Sequence, residues 1–159
     1  MTKRADYALL ALSYLASSAS DNPEKLVNTK EIAEQYEIPM ELLAKILQIL
    51  AKNGMVASHP GPSGGYRLLR DPNAISVAEV VYLIDGPVSL MHCSTGDENS
   101  CRQFNRCTIR DPLGAIEARV IDVLAKISIA EISALADAVP EPELNKVAER
   151  KFAAALPIV

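Results

Sequence analysis

The chain has 159 residues, 49% of them hydrophobic. That suffices for one packed domain of ordinary size, or a small domain with an appended dimerisation element, and argues against wholesale disorder. Trp is absent and 4% of residues are aromatic, which argues against a carbohydrate groove or a stacking platform for single strands. The net charge of −4 does not by itself point to nucleic acid, but it is unevenly spread: residues 1–70 carry eight Lys/Arg against seven Asp/Glu, residues 71–159 eight against thirteen.

Ala5, Ala8, Leu9, Leu12, Leu15 and Ala16 recur at three- and four-residue spacing, which predicts a helix over 3–18. The chain enters this pattern without the apolar core of a signal peptide, and no apolar run reaches membrane-spanning length. A cytoplasmic protein without a membrane partner is expected. Residues 17–23 read as a polar loop and Leu26-Val27 as a short strand. Asn28 with Glu31 has the spacing of a capping box and opens a helix over about 29–36. Pro39 suits the first turn of a third helix. In that helix Leu43, Ile46, Leu47 and Leu50 form the buried stripe, and Gly54 is the expected stop. Met40, Glu41, Ala44, Lys45 and Gln48 then lie on the outer face.

Two helices joined by the tight Tyr36-Glu37-Ile38-Pro39 connection predict a helix-turn-helix, with short or polar side chains on its second helix suited to base edges and phosphates. Met55-Val56-Ala57-Ser58 and Tyr66-Arg67-Leu68-Leu69 flank His59-Pro60-Gly61-Pro62-Ser63-Gly64-Gly65. This is a hairpin pattern, and after a helix-turn-helix it reads as a wing. Its glycines permit close approach to a groove or phosphate, and Arg67 and Arg70 place positive charge at its base. The candidate DNA contacts are therefore Met40, Glu41, Ala44, Lys45 and Gln48 from the helix, with Ser58, His59, Gly61, Ser63, Gly64, Gly65, Tyr66 and Arg67 from the wing. Tyr66 is also a candidate for packing under the wing.

Ser76 and Glu79 make a second capping box, before an apolar helix over 77–84 that stops at Asp85-Gly86-Pro87. A polar loop follows with all three cysteines, spaced Cys93-x7-Cys101-x5-Cys107, and His92 directly before them. In a reducing compartment an odd number of thiols reads as metal, cluster or redox chemistry rather than a disulfide framework. Soft thiolates suit an iron–sulfur cluster or zinc, and spacing alone leaves both open. Arg102, Arg106 and Arg110 would favour thiolates and offset cluster charge. Asp111-Pro112 opens a long helix in which Leu113, Ile116, Val120, Val123 and Ile127 repeat at 3-4-3-4 spacing, the seam of a helix packed along another helix. Ser128 with Glu131 restarts a short helix containing Ile129, Ile132 and Leu135. The tail from Pro140 is charged and Ala-rich, with helical spacing over 142–155 and no function attached.

The predicted fold is mainly α with a small β-hairpin. A winged helix-turn-helix domain occupies 1–86, a cysteine-bearing loop 87–110, a dimerisation helix and a following short helix 111–139, and a tail 140–159. No Ser/His/Asp or paired-carboxylate constellation supports catalysis. The glycine hairpin lacks the Lys-Ser/Thr of a phosphate-binding P-loop, so an enzyme is not expected.

At Gly61-Pro62-Ser63-Gly64-Gly65-Tyr66-Arg67-Leu68 the chain resembles the bacterial winged-helix transcription regulators of the IscR, NsrR and RirA type. The resemblance runs from Asp6-Tyr7-Ala8-Leu9 to the helix at Asp111-Pro112. It takes in Ile32-Ala33, Ile38-Pro39, Leu43-x-x-Ile46-Leu47-x-x-Leu50, Gly54-x-Val56 and Ile75-Ser76-Val77. It implies a homodimeric repressor or dual regulator that binds double-stranded operator DNA and senses iron status, nitric oxide or redox state. It also implies an iron–sulfur cluster, 4Fe–4S favoured over 2Fe–2S, held by Cys93, Cys101 and Cys107. The cysteine spacing is most similar to the RirA type. The IscR type has a ligand His three residues after the last cysteine, and Arg110 stands there, so that ligation is excluded. By resemblance to the NsrR type, the fourth ligand is Asp6 of the partner subunit, with His92, Asp97 or a small molecule as rivals. Asp6 also has a simpler reading, as an acidic residue favoured at the positive start of the first helix. The alternatives are a cluster-free regulator of the same fold that senses thiol state or a partner, and a zinc-binding module, with His92 as fourth ligand, that does not bind DNA.

Overall fold

The computed structural model describes residues 1–61, 64–91, 93 and 101–138. Six helices and one hairpin follow in the order α1 (Lys3–Asp21), α2 (Thr29–Gln35), α3 (Met40–Lys52), β1 (Val56–His59), β2 (Gly65–Leu68), α4 (Val77–Asp85), α5 (Arg110–Lys126) and α6 (Ile129–Ala138). Short 3-10 turns occupy Pro72–Ala74 and Phe104–Arg106. The calls on Pro62, Ser63, His92, Asp97 and the tail from Pro140 lie outside the described residues.

The N-cap residues of the capping signals cap their helices, while the Glu31 and Glu79 carboxylates accept from Tyr14 and Arg70 instead. The Asn28 side chain accepts from the Glu31 N–H at 2.8 Å, and Ser76 and Ser128 accept from the Glu79 and Glu131 N–H groups at 3.2 and 3.1 Å. Each removes one of the unsatisfied donors at a helix start. Two helix ends close in the same way. Gly54 at φ 69° lets the Met55 N–H reach the Leu50 carbonyl at 3.0 Å. Glu37 at φ 52° does the same for Ile38 and Ala33 at 2.9 Å. In both, the residue after the left-handed position is apolar and buried, as this kind of cap requires. The α2–α3 turn is thereby fixed although no glycine occupies it.

Three boundaries differ from the sequence reading. Helix α1 runs on to Asp21 through the expected polar loop, because its last turns pack against α6. Ser17 and Ser133 share a hydroxyl hydrogen bond at 2.8 Å, and Ser20 donates to the Ala16 carbonyl. Tertiary contact thus overrides the weak helix preference of serine. The expected strand at Leu26-Val27 is a single bridge, in which Val27 and Tyr66 exchange both backbone hydrogen bonds at 2.9 and 2.8 Å. Pro39 caps α3 from outside, with extended backbone, and Met40 is the first helical residue.

One core joins these elements. Ala5, Ala8, Ala11 and Leu12 of α1 pack with Ile32 of α2, with Leu43, Ile46, Leu47 and Leu50 of α3, and with Val80 of α4, all fully buried. The chain re-enters this core after α5. Ser76 bridges Ser128, Val77 donates to the Ile127 carbonyl, Ile129 donates to the Ile75 carbonyl, and the Ile129 side chain is fully buried. The start of α6 is therefore sewn to the start of α4. At the other end of α4, Asp85 accepts from the Thr2 backbone N–H at 2.6 Å and the Thr2 hydroxyl at 2.5 Å. The same hydroxyl accepts from the Arg4 N–H and so caps α1.

Two predictions follow from this packing. A Cβ at position 65 would lie 2.4 Å from the Val27 carbonyl oxygen. Gly65→Ala should therefore lower stability by roughly 1–3 kcal/mol in urea unfolding, the usual cost of forcing extra volume into a filled site. Partial burial pushes the Asp85 carboxyl up, but the Thr2 hydrogen bonds and nearby positive charge, including Arg4, outweigh it and hold the group below the ordinary range. A depressed carboxyl contributes stability above its unfolded value, near pH 3.9, that is lost as pH falls through the folded value. Asp85→Asn should lower the melting temperature at pH 7 and shrink its drop between pH 6 and pH 3.

Candidate DNA-reading face and thiol loop

Helix α3 has two chemically distinct sides. Its inner stripe is fully buried, while Glu41, Lys45 and Gln48 are exposed, Met40 is 52% exposed and Ala44 is half-buried between them. The structure thus brings all five residues expected from the sequence to one outward side. Lys45 makes no ion pair among the described residues. Its charge is available to a phosphate, while Glu41 and Gln48 carry acceptor and amide groups of the kind that pair with base edges.

The hairpin pairs antiparallel in the register Val56↔Leu68, Ala57↔Arg67, Ser58↔Tyr66 and His59↔Gly65. Ser58, His59 and Gly61 are exposed. Gly64 and Gly65 pass so close to the His59 and Val27 carbonyls that no Cβ fits, and Gly61 sits at φ 123°. Ser58, His59, Gly61, Gly64, Gly65 and Tyr66 line a groove of about 390 Å³, closed on its other side by Asn28, Thr29 and Lys30. These last three are a part of the surface that sequence reasoning missed. Asn28 was legible as a cap, but nothing in the sequence shows that the Val27 bridge draws the start of α2 against the wing. Tyr66 is half-buried against the core and the bridge partner of Val27, so it supports the wing from beneath. Arg67 keeps 29% side-chain exposure and faces Glu24 at 4.0 Å. Arg70, expected as positive charge at the base of the wing, is otherwise engaged: it donates to Glu79 and to the Ala74 carbonyl, each at 2.6 Å, and so ties the 3-10 turn to α4. Its role is structural.

The segment that leaves α4 carries the thiols. Gly86, at φ 84°, ends the helix, and the Leu90 N–H donates to Glu117 of α5 at 2.7 Å. Cys93, Cys101 and Cys107 are free thiols of intermediate exposure, and the Cys101 sulfur lies 3.8 Å from the Gln103 side-chain oxygen. The Arg110 guanidinium stacks on the Phe104 ring at 4.7 Å from its centroid, donates through Nε to Asp111 at 2.9 Å, and reaches the Phe104 carbonyl at 3.5 Å. Its pKa is raised by the Asp111 hydrogen bond first, and also by the charges of Cys107 and Cys93. Arg102 and Arg106, expected to act with it, are exposed and make no ion pair among the described residues.

Among the described residues no three His, Cys, Asp or Glu side chains are gathered closely enough to hold a metal ion. Asp6, on the first turn of α1 and half-buried, is accordingly not part of such a set among the described residues. The donor types themselves suit an iron–sulfur group: three soft ligands, free of disulfides and of intermediate exposure.

Helix α5 buries none of its residues. Leu124 and the following Ile127 pack against the core, whereas Ile116, Val120, Ile121 and Val123 are 48%, 38%, 38% and 55% exposed. Of the seam expected from the heptad spacing, Ile116, Val120 and Val123 face outward, and Leu113 and Ile127 are half-buried at its ends. No helix among the described residues is long and apolar enough to cross a membrane.

Known proteins share this arrangement. The family described as "Rrf2: Iron-dependent Transcriptional regulator" matches residues 1–134. The HTH-type transcriptional regulator NsrR of Bacillus licheniformis is 32% identical over 132 residues, covering 83% of this chain and 90% of that protein. The HTH-type transcriptional regulator IscR of Yersinia pseudotuberculosis is 30% identical over 151 residues, covering 95% and 85%. Among solved structures, T. potens IscR superposes with a TM-score of 0.64 at 24% identity, covering 87% of this chain and 88% of that one. CymR, the global cysteine regulator of B. subtilis, superposes with a TM-score of 0.65 at 20% identity, covering 85% and 96%. These two likenesses speak for the shared fold, a winged helix with six helices and a two-stranded hairpin. The matched relatives regulate transcription and are not enzymes, and this chain belongs with them: it is a member of the Rrf2 family of transcriptional regulators.

Proposed function

We propose that the chain is a homodimeric DNA-binding regulator, acting as a repressor, whose affinity for its operator follows the state of an iron–sulfur cluster. The observation that carries the DNA reading is the two-sidedness of α3. A helix with one fully buried stripe and an outward row of Met40, Glu41, Ala44, Lys45 and Gln48 stands beside a glycine-built wing. The major groove admits such a helix, and Ser58, His59, Gly61, Ser63, Gly64, Gly65, Tyr66 and Arg67 belong to a wing that would follow the backbone or the minor groove. The dimer reading is supported by the exposed Ile116, Val120, Ile121 and Val123 of α5, an apolar face a monomer has no reason to keep in water. In this reading residues 1–86 read DNA, 87–110 hold the cluster and 111–139 pair the subunits.

Cys93, Cys101 and Cys107 would hold the cluster, of the 4Fe–4S kind, with Asp6 of the partner subunit as fourth ligand. The cluster supplies a centre that iron, nitric oxide or oxidants can alter. A carboxylate ligand such as Asp6 would hold iron more weakly than a thiolate does, which would suit a sensor. The likeness to regulators named NsrR and IscR supports this reading. A second reading rests on the same thiols: all three are free and of intermediate exposure, as a cluster-free thiol sensor of the same fold also needs.

DNA binding predicts a log–log dependence of affinity on salt whose slope counts phosphate contacts. Lys45→Ala should reduce that slope by about 1, as loss of one phosphate contact does. An affinity insensitive to salt in anisotropy titrations contradicts the contact set. Anaerobically prepared protein should carry iron and acid-labile sulfide, and Cys93→Ala, Cys101→Ala and Cys107→Ala should each lose them. Asp6→Ala should release iron to a chelator faster than the parent. An iron-free parent chain whose cysteine variants still regulate normally selects the cluster-free reading.

A further inference from the structure

The groove between the start of α2 and β1 is lined by one sign of charge. Lys30 and His59 are the lining side chains that can be positive, and no carboxylate is among the lining residues. Lys30, Ser58 and His59 are exposed and Thr29 is half-buried, so a cation, two hydroxyls and an imidazole border one cleft. The carboxylates that neighbour it in the chain, Glu24, Glu31 and Glu34, are each engaged. Glu24 faces Arg67 at 4.0 Å. Glu34 meets Lys30 at 3.5 Å, with both side chains 68% exposed. A pair so open to water, with the lysine first along the helix, is weak and yields its cation to a stronger anion.

Glu31 is the informative one. In a capping box its carboxylate folds back over the N-cap residue, here Asn28, which lines the groove. In this chain the carboxylate is held toward α1 instead. The Tyr14 hydroxyl donates to Glu31 Oε1 at 2.8 Å, and Lys25 Nζ approaches the same oxygen at 3.9 Å. The Tyr14 ring is itself fixed, edge-on to Tyr36 with 5.9 Å between centroids.

We propose that Lys30, Thr29, Ser58 and His59 hold one backbone phosphate of the operator, and that Tyr14 keeps the Glu31 carboxylate out of this seat. The proposal rests on the DNA-binding reading above. Lysine brings a point charge, and hydroxyl and ring N–H donors fix where the anion sits. A carboxylate in the same place would repel the phosphate and compete for Lys30. Such a contact carries no base information but sets the register in which α3 reads. Tyr14 touches no DNA in this account; it acts through Glu31 and is a positioning residue.

The test is a salt series of anisotropy titrations with the full chain and a DNA fragment it has itself selected from genomic DNA. Each variant is compared well below its own melting temperature. Lys30→Ala, a change at an exposed site, should weaken binding several-fold and lower the log–log salt slope by about 1. Tyr14→Phe keeps the ring against Tyr36, removes only the donor, and should also weaken binding several-fold. Glu31→Gln keeps an acceptor for Tyr14 without the charge and should bind at least as tightly as the parent. Adding Tyr14→Phe to Glu31→Gln should then cost nothing further. No loss from Tyr14→Phe in the parent, or an equal loss in both backgrounds, overturns the positioning role. Parental affinity and slope in Lys30→Ala, while Lys45→Ala lowers the slope, overturns the phosphate seat. A parent chain that binds no DNA overturns the DNA reading and this inference with it.

Discussion

Everything that faces outward in this molecule depends on one face that does not. Leu43, Ile46, Leu47 and Leu50 of α3 have no exposure at all. Burying each such side chain is worth about 1.5–3 kcal/mol relative to leaving it in water. With the inner stripe committed, rotation of α3 about its axis is forbidden, and Met40, Glu41, Lys45 and Gln48 are held outward. The two left-handed caps at Glu37 and Gly54 fix where the helix begins and ends. A reading helix needs this rigidity, because groove contacts specify sequence only when side chains arrive at fixed positions.

The wing and the thiol loop are set against the same core by different devices. The wing is drawn in by the backbone exchange between Val27 and Tyr66, and the space this leaves at position 65 fits only glycine. The loop is anchored at its ends. Asp85 is clasped to Thr2, Leu90 donates to Glu117 and Arg110 is stacked on Phe104, while the Ser76–Ser128 bridge returns the chain to the core. Asp85 also ties the exit toward the thiols to the start of α1, the segment that bears Asp6. The ends of the loop are thus fastened to α1 and α5, and an equilibrium between two arrangements of these helices is what coupling to DNA would require.

Most of the fold was legible because the sequence states it locally. Three N-cap residues, two helix stops and the 3.6-residue stripe of α3 each need only a few neighbouring residues to specify them. What was not legible depends on distant partners. Ser17 and Ser20 read as loop, since nothing nearby shows that Ser133 will stand against them. Lys30 was not placed beside the wing, since the Val27 bridge is a tertiary event. Arg70 was read as a surface cation because Glu79, its partner, lies in another element. For the thiols the residue types and spacing left cluster and zinc chemistry both open, and only the position of the Phe104 ring shows that Arg110 is held differently from Arg102 and Arg106.

The central claim is that the state of the thiol centre governs the grip of α3 on DNA. The direct measurement is an anaerobic anisotropy titration at one fixed salt concentration, using a DNA fragment the protein has itself selected from genomic DNA. Cluster-loaded and cluster-stripped samples of the same preparation are compared. The account predicts affinities that differ by about 5- to 150-fold, the usual range of coupling between two sites on one protein. Equal affinities, with iron and sulfide verified in the loaded sample, would contradict it.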